Sequence, residues 1–71
     1  MILVLSTVNN HAAVEELPEA SLDQGRVRRI ANGDAAAIKF LDGHFWYLTM
    51  CNGRMMWRRV DGQGEPRRVV R

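Results

Sequence analysis

With 71 residues, 46% of them hydrophobic, the chain is one small domain, too apolar for intrinsic disorder and able to bury only about 60% of its unfolded surface. Cys51 is the single cysteine and only His11 and His44 could join it as soft ligands, so neither an intramolecular disulfide nor a metal centre is expected. The net charge of +2 conceals a division: residues 1–23 carry Glu15, Glu16, Glu19 and Asp23 with no Lys or Arg, a charge of −4, and residues 24–71 carry +6. That asymmetry calls for an anionic partner or for an acidic segment folded back over a basic sheet. Nine of the ten basic residues are Arg, which favours bidentate and stacking contacts.

The run from Ile2 to Val8 is β-branched and apolar without alternation, as in a strand covered on both faces. It lacks the basic start of a secretory leader and is far shorter than the ~20 residues of a membrane helix. A cytoplasmic setting without membrane association is therefore expected. Asn9 or Asn10 can cap a short acidic helix through Leu17, which Pro18 ends; residues 18–25 then form a loop. From Arg26 onward, short runs rich in Val, Ile, Phe, Trp and Tyr alternate with Asn32-Gly33, Asp42-Gly43, Asn52-Gly53 and Asp61-Gly62. Such pairs close two-residue type I′ hairpins, because both central residues need positive φ. The expected fold is mainly β (α+β). A strand, helix and loop over residues 1–25 precede a basic four- or five-stranded antiparallel meander over 26–71, open to closure as a small SH3-like barrel. The competing reading of 21–31 is a helix with Ser21 as N-cap and Gly33 as its stop.

Two-residue turns fix the register, so residues sharing a face can be named. One face holds Ala36, Ile38, Phe40, Phe45, Tyr47, Met56 and Val60, and is the expected core. The other holds Ala37, Leu41, Trp46, Leu48, Met50, Met55 and Trp57, interrupted by Lys39, His44 and Arg59. Across it one rung should read Arg26, Lys39, Trp46, Arg59 and Arg67. A tryptophan among cations suits a surface that stacks bases and neutralises phosphates; cationic stems shielding a ring, with no ligand, give the same pattern.

No phosphate-binding glycine loop, nucleophile elbow or catalytic triad spacing is present. A non-enzymatic binding module or inhibitor without cofactor is expected, modulating a macromolecular partner, most simply a protein, through Trp46, Trp57, Met55, Arg59 and Lys39. The alternative is a nucleic-acid-binding β-domain using Arg26, Arg58, Arg67 and Arg68. A homodimer would supplement so small a core. At the level of architecture alone the chain resembles SH3-like barrels and compact phage- or plasmid-encoded proteins. That resemblance implies, as a setting, inhibition of a host nucleic-acid-acting complex of the anti-CRISPR or anti-restriction type.

Overall fold

The computed structural model describes residues 1–70. Among these residues, six strands form one antiparallel sheet in the order β2-β1-β3-β4-β5-β6: β1 (Ile2–Val8), β2 (His11–Leu17), β3 (Ala35–Leu41), β4 (His44–Cys51), β5 (Arg54–Arg59) and β6 (Arg67–Arg68). A 3₁₀ turn, Glu19–Ser21, and one helix, α1 (Gln24–Ala31), lie between β2 and β3. Both β2 and β3 run antiparallel to β1, which sits between them. The two are therefore parallel and need a long crossover, which α1 provides. The mainly β architecture agrees with the sequence reading. The sheet stays open, with β2 and β6 as its ends, and is not an SH3-like barrel.

Residues 11–17 are a strand and not the expected helix. Asn9 and Asn10 both have positive φ, 51° and 66°, the backbone of a type I′ turn, which pairs β2 with β1 from Val8↔His11 to Ile2↔Leu17. The helical preference of Ala, Glu and Leu is weak beside seven paired positions. Residues 26–31, expected to open the meander, lie instead in a helix that begins at Gln24, and the cap is Asp23 in place of Ser21. Asp23 Oδ1 accepts from the Arg26 amide at 2.8 Å. At the other end Gly33, φ 83°, donates to the Ile30 carbonyl and Asp34 to the Arg29 carbonyl, a Schellman stop. Asn32-Gly33 thus ends a helix, while Asp42-Gly43 and Asn52-Gly53 close hairpins with positive φ at both positions. Asp61-Gly62 lies in the longer loop between β5 and β6.

The hairpin registers match the expected ones, from Phe40↔Phe45 to Ile38↔Tyr47 and from Met50↔Met55 to Trp46↔Arg59. The assignment of inside and outside is inverted. The buried set is Ile2, Val4, Leu17, Leu22, Ile30, Ala37, Trp46, Leu48 and Trp57, with Val27, Leu41, Met55 and Val69 packed against it. Helix α1 turns Val27 and Ile30 onto this side of the sheet. Trp57 is 0% and Trp46 3% exposed, and at ~200 Å² each the two rings contribute on the order of 10 kcal/mol of apolar burial as an upper bound. Phe40 and Phe45, expected in the core, are 62% and 59% exposed. On β1 only Ile2 and Val4 are covered, and Leu3 and Leu5 face outward.

Candidate functional site

Of the expected binding row, Lys39, Trp46 and Arg59 do stand side by side across β3, β4 and β5. Arg67 pairs with Trp57, one rung away, and Arg26 belongs to α1. The row is covered, and its polar atoms are occupied by the chain itself. Lys39 Nζ meets Glu19 Oε1 at 2.9 Å, with the two side chains only 10% and 16% exposed, and lies 4.6 Å above the Trp57 ring. The Trp57 indole donates to Glu19 Oε2 at 3.0 Å, and the Val70 amide donates to the same oxygen at 2.6 Å. Trp46 Nε1 donates to the Leu41 carbonyl at 2.9 Å, and the Arg67 guanidinium stacks 5.0 Å from its ring. Arg59 pairs with Asp61, and its buried Nε has no partner among the described residues. Met55 lines the core.

The acidic segment therefore does fold back over the basic part. Besides Glu19, Glu15 and Asp23 bind Arg26 at 2.9 and 3.2 Å. Arg67 is held by Asp42 at 3.0 Å. Hydrogen bonding to the Arg26 amide, with the Arg26 charge beside it, holds the Asp23 carboxyl below its ordinary value. The Gln63 amide and Arg59 do the same for Asp61.

What remains open is the other side of the sheet. Its central rung reads Glu16, Leu3, Ile38, Tyr47 and Arg58 across β2, β1, β3, β4 and β5. On one side of that rung stand Phe40 and Phe45, packed edge to face with centroids 5.0 Å apart, and Val60, whose amide donates to the Phe45 carbonyl. On the other side stand Val14, Leu5, Ala36, Thr49 and Met56. Leu3, Leu5, Val14, Phe40, Phe45, Tyr47 and Val60 are all exposed. A depression of about 310 Å³ lies between Leu3, Glu16, Ile38, Phe40 and Phe45.

Arginines edge this apolar field on the β5–β6 flank. Arg54 and Arg68 are exposed. Arg58 pairs across from Tyr47 and directs Nη2 to the Cys51 sulfur at 3.7 Å. Of the sequence-derived site residues, only Arg58 and Arg68 belong to this face. The aromatic and aliphatic side chains that β3, β4 and the segment from β5 to Val60 contribute to it are grouped correctly by the register in the sequence, which places them in the interior. Leu3, Leu5 and Val14 are not assigned to it, because the sequence reading covers β1 on both faces and puts Val14 in a helix. Exposure depends on which side the crossover helix takes, and no local pattern reports that.

Among the described residues no three His, Cys, Asp or Glu side chains converge as metal ligands, and no helix is long and apolar enough to cross a membrane. No family model, curated protein or solved structure matches this chain.

Proposed function

We propose that the chain is a protein-interaction module that binds and modulates a macromolecular partner through the open face of its sheet. One observation carries this reading: large apolar side chains of four strands and of Val60 just past β5, with Phe40, Phe45 and Tyr47 at their centre, stand exposed opposite the helix. Contiguous apolar surface of that extent, rimmed by polar groups, is what protein interfaces use and monomers seldom leave open. The arginine flank of Arg54, Arg58 and Arg68 adds orientation. In this reading Trp46, Trp57, Met55, Lys39 and Arg59 touch no partner and act as the support beneath the face.

A second reading, nucleic acid on the same face, draws on its three aromatic rings beside arginines, a stacking arrangement. The surplus of Leu, Ile and Val favours protein, and Lys39, Arg26, Arg59 and Arg67 are already neutralised by the chain's own carboxylates.

A photoreactive benzophenone residue placed at Phe45 in the living cell tests the proposal against the same residue at Arg28, on the exposed side of α1. A discrete protein adduct from position 45 and none from 28 is the expected result. No adduct from 45, or equal labelling from both, overturns it. Gel shifts on single-stranded DNA and RNA decide the second reading, since phosphate contacts must bind at low salt and weaken steeply as salt rises.

A further inference from the structure

The order of groups along the central rung has a symmetry that a chance apolar surface lacks. From β2 to β5 it runs Glu16, Leu3, Ile38, Tyr47, Arg58, with an acid at one end, a base at the other and apolar groups between. We infer that the occupant of the open face is a second copy of this chain, packed face to face about a two-fold axis that runs along β3 at Ile38. This rests on the reading of the open face as an interaction surface and names its partner.

A two-fold axis lying between two sheets and parallel to their strands sends each position to its mirror across β3. Ile38 then lies on Ile38 of the partner subunit, Leu3 on the partner's Tyr47, and Glu16 on the partner's Arg58. The operation repeats itself, so two ion pairs form at once, one at each end of the rung, as a closed two-fold interface requires. The neighbouring rung obeys the same rotation and brings Val14 over the partner's Met56, apolar on apolar. Phe40 lies on β3 and so beside its own copy.

Packed sheets cross at about 30° with ~10 Å between them, which displaces the rung ends by only about 5 Å along the strands, within reach of an arginine and a glutamate. The rungs span five strands ~4.8 Å apart and several residues along each, a footprint on the order of 500 Å² in projection. With side-chain relief that is the scale of the roughly 800 Å² each partner gives a stable interface. An acidic or basic partner of another kind would satisfy one end of the rung and leave the other facing its own charge.

A charge-reversal cycle on the full chain is the test, read by sedimentation velocity from low to high micromolar concentration. The wild type is expected to sediment as a dimer. Glu16→Arg and Arg58→Glu should each weaken dimerisation by about tenfold or more, since like charges then face each other twice. An equimolar mixture of the two variants, and the double variant E16R/R58E, should recover the dimer. A wild type that stays monomeric, single reversals without effect, or a double variant without recovery overturns the inference. Should R58E lose its near-UV dichroism, Phe40→Lys at the axis takes its place, and a dimer that survives F40K overturns the inference equally. The benzophenone at position 45 separates the two failures: a monomer that crosslinks to a different protein removes the second copy and keeps the interaction surface. A monomer with no adduct removes both.

Discussion

Glu19 offers two carboxylate oxygens to three donors, the Lys39 ammonium, the Trp57 indole and the Val70 amide. Burial pushes its carboxyl up, but the hydrogen bonds from Lys39, Val70 and Trp57, with the charge of Lys39, outweigh it and hold the pKa below the ordinary 4.5. A folded-state pKa below the unfolded one stabilises the fold above the unfolded value and is lost as pH falls through the folded value. Stability should therefore decline on acidification below about pH 4.5, and Glu19→Gln should flatten that decline while Asp23 and Asp61 maintain the rest. An amide supplies one acceptor where the carboxylate supplied two and turns an NH₂ toward donors. E19Q should thus cost about 2 kcal/mol at neutral pH. Urea midpoints from pH 3 to 7 check both; an E19Q curve parallel to the wild type across that range refutes the assignment. Nothing in the sequence singles Glu19 out from Glu15 or Glu16, because its partners lie 20, 38 and 51 residues away.

At the scale of elements, the same pair of letters does different work in different surroundings. Asp42-Gly43 and Asn52-Gly53 were legible as hairpin turns because strand-like runs flank both. Asn32-Gly33 is as good a pair, yet a capped helix precedes it, and its glycine satisfies the last carbonyls of α1. That helix was legible only as the competing reading, since Gly25 and Val27 argue against it; the need to cross over β1 decided the matter. Asn9-Asn10 hid in the opposite way, since a helix cap and a type I′ turn both welcome asparagine. The turn makes a definite demand: at Asn10, φ is 66°, a conformation that costs an ordinary L-residue ~1–2 kcal/mol. Asn10→Ala should destabilise by about 1 kcal/mol, and Asn10→Gly should match or exceed the wild type. Were the segment helical, alanine would be the better substitute, so the order of the two urea midpoints tells strand from helix.

For the molecule as a whole, register was legible and parity was not. Alternation sorts residues into two faces but gives no sign to them, and the face with fewer charges was the natural choice for the interior. The fold chose the tryptophans. It could do so because each cation beside them found a carboxylate, Lys39 with Glu19, Arg59 with Asp61 and Arg67 with Asp42. The cluster at Glu19 also bears on how the chain reaches this state. Its three bonds join the crossover to β3, to β5 and to the C-terminal segment, whereas the β1–β2, β3–β4 and β4–β5 hairpins each close over two residues. Loop-closure entropy lets the hairpins form first and leaves the Glu19 contacts for the end. A contact made after the barrier slows departure from the native state without hastening arrival. In a chevron plot E19Q should lift the unfolding limb and leave the refolding limb in place; a lowered refolding limb would put Glu19 in the nucleus. Glu19 then works as a latch, and the lifetime of the covered face depends on it more than the speed of its assembly does.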